Sequence, residues 1–269
     1  MNLYNTQLNN SFKSKQVIKV ITGIYNTSLS QITNIAIAAQ LANASYLDVV
    51  ANTKIVKFIK SFSSLPLCIS SINPIDIYNC LSAGADLVEV GNYDSFYNCG
   101  IYLTDVQLIN LIKEIKFLIG NIDICVTIPY YLDLNAQINL AQDLEDLGVN
   151  ILQTEGCFVN HKSQNYSSIT PSLSSSLLST YSISKYVNIP VIASSSMISM
   201  FSYMATYYGA SGIGIGSAIS SQNNIADMVN YINEVRDSIL TTPFEKYGNF
   251  YDIETTFSVT DFNERIIRI

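Results

Sequence analysis

The chain has no tryptophan, one histidine and five cysteines in 269 residues. A single histidine, His161, cannot build a multi-histidine metal centre, so no metal of that kind is expected; a carboxylate-only magnesium site stays open. The cysteines (Cys68, Cys80, Cys99, Cys125, Cys157) lie far apart with no C-x-x-C pair. An odd number of isolated thiols predicts reduced, mostly buried side chains rather than a disulfide framework. Charge is also sparse, at 13% of residues, with 14 basic against 21 acidic side chains and a formal net charge of −7. No basic stripe exists to neutralise a phosphate backbone, which argues against nucleic-acid binding. Scattered lysines suffice to hold one small anion at most.

Long apolar runs are missing too. The opening "MNLYNTQLNNSFKSKQ" is polar, without the apolar segment of a secretory signal and without the arginines of a transit peptide. Tyr186 to Ala226 contains no charged residue, yet Pro190, the Ser194-Ser195-Ser196 triplet and the glycines interrupt it. No run of about 18 apolar residues survives, so no membrane span is expected.

What is present is alternation. Apolar strand-like runs begin near residues 17, 46, 65, 85, 123, 150, 189 and 211, short and rich in Val and Ile, as strands buried on both faces are. Between them the period becomes helical. Leu29, Ile32, Ile35, Ala36 and Ala39 share a face, as do Leu108, Ile112, Ile115 and Ile119 behind the capping residue Thr104. Ile225, Met228, Val229, Ile232, Val235 and Ile239 form the clearest stripe. Asn73-Pro74 and Thr170-Pro171 read as helix starts. Gly84, Gly148 and Gly209 read as left-handed helix ends. Eight such units predict an α/β fold, a single (β/α)₈ TIM barrel over residues 15–240, with an open doubly wound sheet as the alternative. Residues 1–14 read as an N-terminal arm. Residues 241–269 read as a C-terminal extension that packs over the barrel or reaches a partner, which leaves an oligomer open.

"GASGIGIGSAIS" (209–220) packs four glycines into eight positions. A dinucleotide fingerprint fails here, because its third glycine falls on Ser217 and the stretch is not at the first strand. In a barrel of the phosphate-binding type, the loops after strands seven and eight commonly hold phosphate. Ser195, Ser196, Met197, Gly214, Gly216, Ser217 and Ala218 are therefore the expected anion clamp, through small side chains, hydroxyls, N–H groups and a helix start. The competing reading is that the glycines permit tight packing.

Polar residues inside the apolar runs mark a second candidate cluster. Lys19, Asp48, Glu89 and Gln153 are costly to bury unless paired or functional. Lys19 and Glu89 are expected to pair across the interior. Chemically, Lys19 suits enolate stabilisation or a Schiff base, and Glu89 or Asp48 proton transfer. A structural ion pair or outward helix capping is the alternative. Thr127, Gln153 and Glu155 are further pocket candidates. The long loops after strands four and six are candidate lids or binding elements. Tyr93, Phe96, Tyr97 and Tyr102 either wall a pocket or pack on the barrel rim. His161, a lone loop histidine, reads as solvent-exposed, with His161 and Lys162 reaching a substrate as the alternative.

"IKVITGI", "EVGNYDSFY", "VTIPYYL", "ILQTEG", "IPVIASSSMIS" and "GASGIGIGSAIS", in that order, resemble the hypothetical chloroplast reading frame family, member twenty-three, from about residue 15 to 240. The resemblance implies a phosphate-binding barrel encoded in plastids or cyanobacteria, and hence the plastid stroma or the cyanobacterial cytoplasm. It implies no settled activity. The Asn-, Ile-, Tyr- and Phe-rich composition agrees with an AT-rich genome. The family pattern has glycine where Ser196 stands, and serine accepts positive φ poorly.

Three functions fit these residues. One is an isomerase, epimerase or aldol-type lyase acting on a small phosphorylated metabolite. The second is an FMN barrel holding the cofactor's phosphate in the same loops. The third is a non-catalytic barrel that senses a phosphorylated metabolite. Fold alone does not separate them.

Overall fold

The eight apolar runs form β1 (Val17–Ile21), β2 (Tyr46–Val50), β3 (Leu67–Ser70), β4 (Leu87–Gly91), β5 (Asp123–Ile128), β6 (Ile151–Thr154), β7 (Val191–Ala193) and β8 (Gly212–Ile215). The structure, a computed structural model, describes residues 3–91, 94–97, 99–156, 169–195 and 197–240. All strand pairs are parallel and neighbours follow chain order; β1 pairs with β8, Val17 opposite Gly212, so the sheet closes. The open-sheet alternative is thereby excluded. Tyr93, His161, Lys162, Ser196, Cys157 and the 241–269 extension lie outside the described residues.

The helices are α1 (Thr6–Lys13), α2 (Leu29–Leu41), α3 (Thr53–Lys60), α4 (Pro74–Ser82), α5 (Asp94–Tyr97), α6 (Asp105–Ile119), α7 (Leu134–Asp146), α8 (Ile169–Ser184), α9 (Ser202–Tyr207), α10 (Ser217–Ser220) and α11 (Ile225–Leu240). Their starts follow local chemistry. Thr104 and Gln107 form a reciprocal capping box on α6, and Asn73 caps α4 with Pro74 in its first turn. Asn52 and Asp133 cap α3 and α7 in the same way. Gly84, Gly148 and Gly209 take positive φ, as helix ends require. Among the described residues no helix is long and apolar enough to cross a membrane.

Strand alternation sorts the core into two apolar layers. Outward residues, among them Val49, Ile69, Val88, Val126 and Ile213, pack with Ile32, Ile112, Ile232 and other residues of the helix stripes. Leu29 departs from the expected stripe. At the first position of α2 it is exposed, because the stripe meets the barrel only from the second turn. Inward residues of the lower barrel (Val17, Tyr46, Cys68, Leu87, Cys125, Ile151, Ile192) pack instead with Leu8 and Phe12 of α1. The stretch read as an arm thus carries a helix that closes the barrel's floor. Ile21, expected in the core, is only partly buried, because it reaches the mouth.

Asp123 ties that helix down. Its two carboxylate oxygens accept the Tyr4 and Asn5 amides at 3.0 and 2.8 Å. Burial holds its pKa above the ordinary carboxylate value, partly opposed by those two bonds. A raised folded-state pKa means that the native protein binds this proton more tightly than the unfolded chain. The contribution is therefore present below the unfolded value and is lost as pH rises through the folded one. Relative to Asp123→Asn, the wild type should gain stability as pH falls from about 6 to 4. Urea titrations at each pH check this; parallel pH profiles for the two proteins would contradict it.

Candidate active site

Above the apolar floor, the next inward positions are polar: Lys19, Asp48, Ser70, Glu89, Thr127 and Gln153, all buried. β1 and β4 are not neighbours, so Lys19 and Glu89 meet across the interior, where they form the expected ion pair. The Lys19 ammonium also donates to Gln153 Oε1 at 2.9 Å and lies 3.5 Å from Asp48 Oδ2. Glu89 Oε1 accepts from Thr127 (3.0 Å) and from Gln153 Nε2 (2.9 Å). Asp48 Oδ1 accepts from Ser70 at 2.7 Å. Both oxygens of each carboxylate thus face a donor or the ammonium. Such satisfaction is what makes buried charge tolerable.

Below this layer the thiols are inert. Burial pushes Cys125 up to about 12 and raises Cys68 and the Tyr46 phenol well above their ordinary values. Cys80 is buried as expected, but Cys99 is exposed, because it follows the mouth helix α5 rather than sitting in a strand.

The polar layer is the floor of a cavity of about 400 Å³ at the C-terminal mouth, lined by Asp48, Ser70, Glu89, Thr127, Gln153, Glu155, Ser194, Ser195, Ile21 and the loop after β1. Lys19 does not line it and is wholly buried. Its geometry fits charge balance for the two carboxylates rather than attack on a bound carbonyl. Glu155 enters from the end of β6 and accepts a hydrogen bond from Tyr97. Tyr97 in turn stacks on Tyr102 and meets Tyr130 and Tyr131 edge-on, which builds a tyrosine wall on the β4–β5 side.

The glycine stretch divides into two roles. A Cβ on Gly212 would lie 2.4 Å from Val17 Cβ, and one on Gly214 2.9 Å from Ser194 Oγ. Both glycines sit inside β8 with negative φ, so close packing explains them. Gly214 is therefore a strand residue beside the mouth, not a loop residue around it. Gly216 differs: a Cβ there finds only ordinary contacts, the nearest at 3.5 Å from Ile21. It precedes α10 and offers no side-chain cap, which leaves the first N–H groups of that turn, at Ser217 and Ala218, without an intrahelical partner. Ser217 is exposed and Ser195 lines the cavity with φ +66. Among the described residues of this loop, the left-handed position is Ser195. The Met197 side chain is buried in the core, where its thioether fills space, so only its backbone is left for the clamp.

Two features lie beyond the sequence reading, the Ser70 hydroxyl and the partnership of Tyr97 with Glu155. Ser70 was detectable as the inward position two after Cys68; the Tyr97 contact joins segments 58 residues apart and leaves no local trace.

Comparison with known proteins adds the following. A family model described as a protein of unknown function (DUF561) matches residues 3–245. An uncharacterized protein ycf23 from Antithamnion sp. is 49% identical over 245 residues, spanning 87% of this chain and 88% of the relative. The solved 3-hexulose-6-phosphate synthase from Salmonella typhimurium overlays with a TM-score of 0.59 at 14% identity, over 83% of this chain and 98% of its own. Thiamine phosphate pyrophosphorylase from Pyrococcus furiosus does so with 0.55 at 15%, over 84% and 98%. At these identities the overlays show the barrel fold alone, though both proteins are named for phosphorylated compounds. The match over the whole barrel, the identity to the Antithamnion protein and the six motifs agree: the chain belongs to the ycf23 family, DUF561.

Proposed function

We propose that the barrel binds a small phosphorylated metabolite at its C-terminal mouth and moves a proton on it, as an isomerase, epimerase or aldol-type lyase does. The observation that carries this reading is the cavity itself: a carboxylate floor faces it, Ser194 and Ser195 after β7 line it, and Gly216 after β8 packs against Ile21 of its wall. In this reading Ser195 and the N–H groups at Ser217 and Ala218 hold the phosphate, beside the open backbone of Gly216. Asp48 and Glu155 are the proton-handling groups, since each lines the cavity. Lys19, held by Glu89 and Gln153, fixes the charge and position of the floor. The neighbours named for phosphorylated compounds support the ligand class by fold analogy. The relatives' reading-frame name supports a plastid origin, with the stroma as the proposed compartment.

Gly216→Val tests the phosphate site. The variant should fold, because a Cβ at this position meets only ordinary contacts. Phosphate esters that raise the melting temperature of the wild type should leave the variant's nearly unchanged. Equal stabilisation of both proteins would remove Gly216–Ala218 from the site. No stabilisation of either, across a panel of phosphate esters, would defeat the ligand class.

A further inference from the structure

We infer that Ser194 is a ligand-binding residue, and that the carbon chain beyond the phosphate carries hydroxyl groups to it rather than ending in an apolar tail. The inference rests on the phosphate-binding reading above and names the chemistry of the ligand's other end.

Strand alternation aims Ser194 inward. Ile192 packs in the lower interior and Ala193 against the helices, so the next side chain turns back toward the barrel axis. There it lines the mouth cavity and is 7% exposed. Its backbone is engaged on both sides. The Ser194 N–H donates to the Thr154 carbonyl at 3.0 Å, and its carbonyl accepts from the Ser176 hydroxyl at 2.6 Å. The Ser194 hydroxyl itself makes no hydrogen bond within the protein. One donor and two acceptor positions therefore stand open at the cavity wall. Gly214 keeps their place, because a Cβ there would approach the hydroxyl to 2.9 Å. A buried polar group without a partner, aimed into a cavity, is a position for a polar ligand atom.

The floor opposite repeats this chemistry. Ser70 gives its proton to Asp48 Oδ1 at 2.7 Å and keeps its own oxygen as an acceptor. A carboxylate accepts about four hydrogen bonds. Asp48 takes one from Ser70 and faces the Lys19 ammonium at 3.5 Å with its other oxygen, so acceptor capacity remains on a side chain that lines the cavity. An apolar tail that displaced water here would leave the Ser194 hydroxyl and these acceptor oxygens with neither water nor partner. A hydroxyl both donates and accepts, so it answers Asp48 and Ser70 on one side and Ser194 on the other. The cavity, about 400 Å³, lies at the small end of ligand pockets, which suits a short chain.

Calorimetric titration of the full chain with matched esters tests this: glycerol 3-phosphate against propyl phosphate, erythrose 4-phosphate against butyl phosphate, and ribose 5-phosphate against pentyl phosphate, with ribose alone alongside. In at least one pair the hydroxylated ester should bind at least about tenfold more tightly than its alkyl partner. Ser194→Ala should fold, because the lost hydroxyl has no partner in the protein. It should weaken the preferred ester about fivefold or more while leaving the alkyl ester unchanged or tighter. Gly214→Ala, which crowds the same hydroxyl, should act in the same direction. Alkyl esters that bind as tightly as the hydroxylated ones in every pair would overturn the inference and leave the phosphate reading standing. An unchanged preference in Ser194→Ala would overturn the assignment to this residue. Binding of ribose as tight as that of its phosphate would support the hydroxyl site while defeating the phosphate reading. Absence of binding by all six esters would overturn both.

Discussion

Lys19→Met should lower the stability of the folded chain by roughly 3–5 kcal/mol. The substitution preserves volume and removes the cation on which two buried carboxylates depend, Glu89 through the ion pair and Asp48 at 3.5 Å. Gln153 would also lose the donor to its Oε1. Removing one partner of a buried network costs more than the pair contributes, because the remaining charge has no water to turn to. The double variant Lys19→Met/Glu89→Gln should therefore recover a large part of the loss, a coupling that a double-mutant cycle measures directly. Chemical denaturation of the wild type, the two single variants and the double variant provides the test. An unchanged melting temperature for Lys19→Met would mean that the ion pair does not organise the floor.

Phe12→Ala should cost a comparable amount, about 3–5 kcal/mol. Phe12 is 2% exposed and, with Leu8, seals the lower barrel against Val17, Tyr46, Leu87, Ile151 and Ile192. No strand closes that end, so the missing ring leaves a cavity that the rigid barrel cannot collapse to fill. Urea unfolding gives the number. A loss under about 1 kcal/mol would show α1 to be a dispensable arm after all.

These two residues also show where the sequence was readable. Lys19 announced itself because a charge inside "VIKVI" contradicts its surroundings, and contradictions of that kind are where buried networks sit. Asp48, Glu89 and Gln153 were legible for the same reason, and eight alternations were enough to indicate a barrel. Phe12 was not legible. Leu8 and Phe12 are two apolar residues spaced by four in a stretch of Asn, Gln and Ser, too little pattern to predict a helix. Gly214 reads from sequence as part of an anion clamp, yet its reason lies in Ser194, as that of Gly212 lies in Val17, and sequence spacing brings neither partner near. Ser70 occupies a legible inward position, but its hydroxyl acquires a role only once strand register sets it beside Asp48. In each failure the deciding contact was long-range.

Closure of the ring through β1 and β8 governs how the chain comes to exist. Val17 waits for Gly212, so for most of its synthesis the nascent sheet has an unpaired edge on β1 and another on its newest strand. At typical elongation rates that interval is roughly ten to forty seconds. Pairing ends so distant in sequence is intrinsically slow, because loop entropy is lost before the contact forms. The floor is assembled under the same constraint, since Glu89 and Gln153 reach the ribosome's exit long after Lys19. A chain stalled before residue 212 therefore presents strand edges and an incompletely sealed interior, the surface that chaperones recognise and that neighbouring nascent chains can pair with.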